Sequence, residues 1–304
     1  MSRRIAVTGS SGFIGRNLVE ALSAKGDDVL PIMRPFDPSR IADALRGTDA
    51  VVHLAGRVSA VRERDFVEAN VEGTRAVAEG ARRAGVPIVH ISSLAAGGPA
   101  PSGAPRSEGD PPAPITAYGR SKLESEHVIA AIEGLRWTIL RPTVVYGPRD
   151  RGMLPLFRMA ARGVLPLVGR RTAAFMFVHV DDLIRAIDRA IDAGAHGETL
   201  FVAHPRPATT REVLDAVCAA VGRRAPIVPV PDAVLRVACA AGDLASRMRG
   251  RRVLLDSSRY RELAADGFVC RVERLRECLG VVAEIELGAG LARTATWYRS
   301  EGWL

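Results

Sequence analysis

The chain opens with a short apolar run that leads directly into closely spaced glycines. Ile5 to Thr8 is apolar enough for a buried strand, and an apolar-periodic stretch follows the glycines up to about Lys25. A strand, a glycine turn and a helix in this order bring backbone N–H groups to the positive end of the helix dipole, where a phosphate binds. The glycine spacing is looser than the commonest dinucleotide fingerprint, but its place between a strand and a helix is the required context. This opening predicts a dinucleotide site formed by Gly9, Ser11, Gly12 and Gly15.

Strand and helix patterns alternate along the first half of the chain. The predicted strands cover residues 5–8, 28–33, 50–55, 88–92 and 137–141, and the predicted helices cover residues 12–25, 39–46, 66–84 and 117–132. Residues 97–116 are rich in proline and glycine, which predicts an irregular loop. Strands near 178–180 and 199–202 are expected to return to the sheet, with a helix at 181–193 between them. This alternation predicts an α/β fold with a Rossmann-type, doubly wound parallel sheet.

Beyond Gly147 the regular alternation is lost. We expect a nucleotide-binding domain at residues 1–147 with a returning segment at about 175–203. A smaller, mostly helical C-terminal substrate lobe is expected at residues 148–174 and 204–304. The most apolar stretch of this lobe, residues 233–245, is interrupted by Arg236 and Asp243, so no membrane insertion is expected.

Composition excludes several functional classes. The net charge is +8, yet the basic residues are interleaved with acids along the chain, which argues against nucleic-acid binding. The densest cluster has arginines at positions 247, 249, 251 and 252. It is interpreted as a solvated loop or, alternatively, as a site for an anionic substrate group. Four cysteines without CxxC spacing predict no metal site and reduced thiols in a cytoplasmic protein; they are Cys218, Cys239, Cys270 and Cys278.

A tyrosine and a lysine lie four residues apart at the start of a predicted helix. Tyr118 and Lys122 therefore share one helix face, and a nearby ammonium is expected to lower the tyrosine pKa towards neutrality. Only two of the 42 basic residues are lysines, so a lysine at this position is notable in a chain that otherwise uses arginine. Ser93 follows a predicted strand, at the sheet edge where such folds bind ligands. These three residues are the candidate catalytic centre.

The end of the second predicted strand is the place where such a fold contacts the adenosine ribose. A carboxylate there selects NAD, and an arginine accommodates the 2′-phosphate of NADP. Arg34 occupies this place, so the sequence favours NADP, with NAD as the alternative.

Over essentially its whole length the chain resembles the extended short-chain dehydrogenase/reductase family, also called the NAD-dependent epimerase/dehydratase family. The similar segments are TGSSGFIG (8–15), DAVVHLAG (49–56), NVEGT (70–74), ISSLAAGG (91–98), YGRSK (118–122), LRPTVVYGP (140–148) and FVHVDDL (177–183). The resemblance implies a homodimer and a small-molecule substrate. It also implies that Lys122 binds the nicotinamide ribose and that further residues line the cofactor, namely Phe13, Ile14, Leu54, Ala55, Gly56, Asn70, Pro142 and Thr143.

Three departures from the family pattern bear on activity. The segment between Arg34 and Asp49 is too short for an additional strand that contacts adenine in relatives. Ser93 is followed by Leu94 and Ala95 where family dehydratases carry Asp-Glu, so 4,6-dehydration is not expected. Nucleotide-sugar enzymes carry an arginine where this chain has Phe175.

The leading hypothesis is therefore hydride transfer between NADP(H) or NAD(H) and a secondary alcohol or ketone. In its motifs the chain resembles the 3β-hydroxysteroid dehydrogenase and dihydroflavonol reductase branch more than the sugar branch. A nucleotide-sugar epimerase is the enzymatic alternative, and a non-catalytic cofactor-sensing or scaffold protein is the alternative from another class.

Overall fold

The structure is a computed structural model that describes residues 2–169, 173–194, 197–250 and 256–304, apart from the side chain of Arg247. Its strands are β1 (Arg4–Thr8), β2 (Asp28–Ile32), β3 (Ala50–His53), β4 (Ile88–Ile91), β5 (Trp137–Pro142), β6 (Val144–Tyr146), β7 (Leu165–Leu167), β8 (Ala174–Phe175), β9 (Phe177–His179), β10 (Glu198–Val202), β11 (Ala208–Thr209), β12 (Ile227–Pro229) and β13 (Gly267–Phe268).

Helices surround these strands and connect them. They are α1 (Phe13–Ala24), α2 (Pro38–Ala44), α3 (Glu63–Phe66), α4 (Gly73–Ala84), α5 (Leu94–Gly97), α6 (Ala117–Ala130), α7 (Leu154–Arg162), α8 (Val180–Asp192), α9 (Thr210–Val221), α10 (Asp232–Arg249), α11 (Ser257–Ala264), α12 (Glu273–Leu279) and α13 (Leu287–Ser300).

The central sheet has six strands in the order β10-β5-β4-β3-β1-β2, and every adjacent pair is parallel. Successive residues of a strand face opposite sides of the sheet. Ile5 and Val7 accordingly pack under α1 and α8, whereas Ala6 packs under α2, α4 and α6. Because both faces are covered by helices, the strands read as continuous apolar runs. The predicted Rossmann-type fold is confirmed.

The predicted return of residues 178–180 to this sheet is wrong. β9 pairs instead with β6 in a separate two-stranded sheet, and β10 alone returns to the central sheet, beside β5. Strand pairing depends on distant chain segments, so an apolar run does not reveal its partner.

The helix expected at residues 66–84 is interrupted. A π-helical segment, Val67–Glu72, joins α3 to α4. Such segments occur frequently at functional sites. This one carries Asn70, which is buried.

Residues beyond the central sheet form a second apolar core. It joins α7, α9 and α13 through large side chains that include Phe157, Leu214 and Tyr298. Two small sheets, β11-β8-β13 and β12-β7, belong to the same part of the chain. In the described residues, no helix combines the length and the apolarity needed to cross a bilayer.

Candidate active site

The glycine turn after β1 is built so that only glycine fits at two positions. Gly9 has φ of 70°, and a Cβ there would lie 2.8 Å from the Ala55 nitrogen. A Cβ on Gly15 would lie 2.1 Å from the carbonyl oxygen of Gly9. Gly12 is the N-cap of α1 and supplies no side-chain hydrogen bond to the first turn. The N–H groups of this turn therefore suit a pyrophosphate, and this cradle fits a dinucleotide cofactor.

A buried amide, that of Asn70, ties the loop after β3 to α6. Asn70 Oδ1 accepts from the Arg57 nitrogen at 2.6 Å, and Asn70 Nδ2 donates to the Arg57 carbonyl at 3.0 Å and to Ser121 Oγ at 2.9 Å. A Cβ on Gly56 would lie 3.1 Å from Asn70 Oδ1 and 4.0 Å from Lys122 Nζ. The loop Leu54–Gly56, the π-helical segment and α6 thus converge at one place.

Ser93 and Tyr118 come together at the carboxyl edge of the sheet. Ser93 follows β4 and caps α5, because its Oγ accepts from the Ala95 nitrogen at 3.2 Å. Tyr118 lies in the first turn of α6, and its ring packs at 6.1 Å from that of Phe66. The Ser93 side chain lies near enough to the Tyr118 hydroxyl to affect the pKa of that hydroxyl. The structure therefore brings together two residues that are 25 positions apart in the sequence.

The expected lowering of the Tyr118 pKa is wrong for this structure. Burial raises the pKa of Tyr118 to about 12, and the nearby Ser93 side chain opposes this rise only partly. Tyr118 consequently keeps its proton at neutral pH, which suits a group that donates a proton.

Lys122 is buried one helical turn after Tyr118. Its Nζ donates to the Ile91 carbonyl at 2.6 Å, and burial lowers the pKa of Lys122 to about 8. The carboxylate of Glu126 acts in the opposite direction and favours the charged ammonium. The ammonium therefore titrates close to neutral pH.

A buried ion pair lies near Lys122, and the sequence analysis did not predict it. Glu126 accepts from Arg141 Nε at 3.0 Å and from Nη2 at 2.6 Å, and the Ser92 hydroxyl donates to the same carboxylate. Glu126 is 4% exposed and Arg141 is 7% exposed. Glu126 lies four residues after Lys122 and therefore on the same face of α6, which is the sequence signal that could have placed this carboxylate near the ammonium. The network ties α6 to β4 and β5 beneath Lys122.

Arg34 is exposed after β2, and Arg57 is near enough to affect its pKa. The Nη2 of Arg34 donates to the Ala69 carbonyl at 2.9 Å, and the Arg34 guanidinium lies 4.9 Å from the centre of the Phe36 ring. Partial burial and the charge of Arg57 both lower the pKa of Arg34. Two cationic groups, those of Arg34 and Arg57, therefore lie near each other close to the end of β2.

Three further residues named in the sequence analysis, Pro142, Thr143 and Phe175, lie at the end of β5, directly after β5 and on β8. Pro142 ends β5, and the Thr143 nitrogen donates to the Val202 carbonyl at 3.1 Å. Phe175 stacks on Phe268 with ring centroids 6.3 Å apart, whereas Phe177 is buried against Tyr146. Arg251 and Arg252, of the arginine cluster, lie outside the described residues. Within the described part of the chain, no cluster of His, Cys, Asp or Glu could hold a metal ion.

The chain is similar to known proteins of one enzyme family. The sequence model of the NAD dependent epimerase/dehydratase family matches residues 5–203. A ceramide reductase of Caulobacter vibrioides is 28% identical over 99% of this chain and 96% of its own. A UDP-glucose 4-epimerase of Mycolicibacterium smegmatis is 29% identical over 98% of this chain and 99% of its own. The solved structure of DesIV, a dTDP-glucose 4,6-dehydratase from Streptomyces venezuelae with NAD bound, superposes with a TM-score of 0.78 at 26% identity, covering 99% of this chain and 98% of that chain.

Proposed function

Because the chain belongs to the NAD-dependent epimerase/dehydratase family, we propose that it is an NAD(P)-dependent reductase of a ketone, or the dehydrogenase of the matching secondary alcohol. The observation that carries this proposal is the proximity of the Ser93 side chain to Tyr118, with the buried Lys122 ammonium one helical turn away. That arrangement offers a hydrogen-bond donor, a proton donor and a positive charge at one sheet edge.

In the proposed reduction each residue has a separate task. The nicotinamide cofactor, when bound, supplies the hydride. Ser93 donates a hydrogen bond to the substrate carbonyl oxygen, which increases the positive character of the carbonyl carbon. Tyr118 then donates its proton to the developing alkoxide, and the Lys122 ammonium stabilises the phenolate that remains. The high pKa of Tyr118 supports this direction, because the phenol is protonated before each turnover.

Residues of the glycine turn and of the loop Leu54–Gly56 would hold the cofactor, together with Lys122. Arg34 supports a preference for NADP, because its guanidinium and that of Arg57 add positive charge where the adenosine ribose would lie. NAD is the alternative cofactor.

We assign substrate binding to residues 148–174 and 204–304. Phe175, which directly follows the first of these segments, is half-buried and stacks on Phe268 of the second. The wall that these two rings form is apolar where nucleotide-sugar enzymes of the family carry an arginine. An apolar wall suits a ring or an acyl chain. The similarity to a ceramide reductase supports a lipophilic substrate.

A nucleotide-sugar epimerase remains the alternative function, and the similarity to a UDP-glucose 4-epimerase favours it. A diphosphate needs cationic donors in the cleft. Calorimetry with UDP- and dTDP-sugars, beside a ketone panel followed at the nicotinamide absorbance, distinguishes the two. We expect weak sugar binding and net cofactor consumption with ketones. Micromolar sugar-nucleotide binding with epimer formation and no net cofactor turnover would establish the epimerase instead.

The mechanism is tested with Tyr118→Phe. This variant keeps the ring and loses the proton donor, so turnover falls at least about a hundredfold while cofactor affinity stays unchanged. Lys122→Ala lowers turnover by a similar factor and also weakens cofactor binding, because the ammonium would contact the ribose. Near-normal turnover in Tyr118→Phe contradicts the mechanism. Inactivity of the wild type on every ketone and sugar, with intact cofactor binding, would favour a cofactor-sensing protein.

A further inference from the structure

A line of buried hydrogen bonds runs beside the glycine turn, and the ring of His53 lies at its centre. The Ala55 nitrogen donates to Thr8 Oγ1 at 3.1 Å, and Thr8 Oγ1 lies 2.7 Å from His53 Nδ1. On the other side of the ring, His53 Nε2 lies 3.0 Å from Thr74 Oγ1, which donates to the Asn70 carbonyl at 2.5 Å. Thr8, His53 and Thr74 are each 0% exposed. The line therefore connects the loop after β3 to the π-helical segment through the protein interior.

The donors and acceptors along this line have one consistent direction. A carbonyl oxygen only accepts, so the Thr74 hydroxyl gives its proton to Asn70 and must accept from His53 Nε2. Burial and nearby cationic side chains lower the pKa of His53 to about 3, so the ring is neutral and its Nδ1 carries no proton. Thr8 consequently donates to Nδ1 while it accepts from the loop after β3. The proton of the neutral ring is therefore on Nε2.

The far end of the line supports the irregular geometry of the π-helical segment. The Thr74 hydroxyl bonds the carbonyl four residues earlier, a contact that often bends helices. Arg34 donates to the preceding carbonyl, that of Ala69. Two successive carbonyls of this segment thus accept from side chains, and the side chain of Asn70 projects from the same segment.

Asn70 connects this segment to two parts of the candidate active site. Its amide pairs with the backbone nitrogen and carbonyl of Arg57, in the loop after β3, and it donates to Ser121 on α6. Ser121 Oγ in turn donates to the Tyr118 carbonyl at 2.8 Å. A displacement of the π-helical segment would therefore move the loop and the catalytic helix relative to each other.

We propose that His53 is a positioning residue for cofactor binding. By donating to Thr74 it fixes the π-helical segment, and Asn70 then holds the loop after β3 against α6 before the cofactor arrives. A loop that is already ordered loses less entropy when the cofactor binds. This inference rests on the proposed function, because it takes the loop after β3 as part of a dinucleotide site.

The first test is calorimetry of NAD and NADP binding to two variants of Thr74. Thr74→Val keeps the shape of the side chain but removes the acceptor of His53, so cofactor affinity falls at least about fivefold. Thr74→Ser keeps the hydroxyl and binds like the wild type. Thr48→Val is the matched control, because Thr48 is also buried and donates to the Leu45 carbonyl at 2.8 Å, directly before β3 and at the opposite end from His53. Thermal melting records the stability of each variant, and Thr48→Val keeps wild-type affinity even where it melts at a lower temperature.

The second test is ¹⁵N NMR of the histidine rings, which needs neither cofactor nor activity. His53 stays neutral with its proton on Nε2 from about pH 5 to pH 8, where an ordinary histidine titrates. Its signals are identified by their loss in His53→Gln. A proton on Nδ1, or titration in this range, overturns the proposal.

The binding data separate this inference from the proposed function. Wild-type affinity in Thr74→Val, no recovery in Thr74→Ser, or an equal loss in Thr48→Val overturns the positioning role alone. A wild type that binds neither NAD nor NADP overturns the proposed function and the positioning role together.

Discussion

The ion pair beneath Lys122 makes a quantitative prediction about stability. Glu126→Gln keeps the size of the side chain and an acceptor for Ser92, but it leaves the buried guanidinium of Arg141 without a counter-charge. Removing one partner of a buried pair costs about 3–5 kcal/mol, because the remaining charge stays desolvated. A domain is stable by only about 5–15 kcal/mol, so the loss is a large fraction of the free energy of unfolding.

A double-mutant cycle measured by urea unfolding tests this reasoning. Arg141→Met alone costs a similar amount, because it leaves the Glu126 carboxylate buried without its cation. The combination Glu126→Gln with Arg141→Met costs less than either single change, since neither position then holds a buried charge without its partner. Asp215→Asn is the control: its partner Arg211 is 2.8 Å away in an exposed pair, and no measurable change is expected. Additive costs in the cycle, or singles as stable as the wild type, would refute a desolvated and coupled pair.

Three further predictions concern the cofactor and the pH profile. Arg34→Ala weakens NADP binding by about ten- to a hundredfold and leaves NAD binding nearly unchanged, because a charge-assisted contact is worth about 1.5–3 kcal/mol. Fluorescence titration measures both affinities, and equal weakening of NADP and NAD refutes the assignment of Arg34 to the 2′-phosphate. Burial lowers the pKa of Lys122 to about 8, so kcat/KM falls as the pH rises through about 8 and the ammonium loses its proton. The Glu126 charge raises that pKa, so Glu126→Gln moves the fall in kcat/KM to lower pH. An unchanged pH profile in this variant contradicts the coupling between Glu126 and Lys122. Gly15→Ala places a Cβ 2.1 Å from the Gly9 carbonyl oxygen, so the turn shifts and both cofactors bind at least about tenfold more weakly. Calorimetry measures both affinities, and wild-type affinity in this variant would contradict a tight cradle.

The nucleotide-binding half was predictable because its sequence signals are local. Strands buried on both faces read as apolar runs, and Gly85, with φ of 70°, marks the end of α4 where a helix commonly terminates in the left-handed conformation. As a consequence, the first and last residues predicted for these strands lie within two residues of the observed ones. The meeting of Ser93 with Tyr118 followed from their place in the fold and from the family resemblance.

Other features depend on contacts between distant segments. The π-helical segment Val67–Glu72 reads as ordinary helix, because its geometry is not encoded in periodicity. The pairing of Glu126 with Arg141 was not predicted, since their spacing does not show that they face each other in the interior. The exposure of most large apolar side chains in the stretch 233–245 was not predicted either, since an apolar run does not show whether another element covers it.

The loop between Ser93 and Tyr118 links the catalytic residues to the part of the chain assigned to the substrate. The Ala100 nitrogen donates to the Gly267 carbonyl at 3.0 Å, and the Arg106 nitrogen donates to the Val269 carbonyl at 2.9 Å. Strand β13, which contains Gly267, also pairs with β8, the strand of Phe175. The apolar wall and the loop that joins both catalytic residues therefore share one small sheet. Under the proposed function, we therefore expect a substitution that repacks β13 to act on the loop between Ser93 and Tyr118 through these backbone hydrogen bonds.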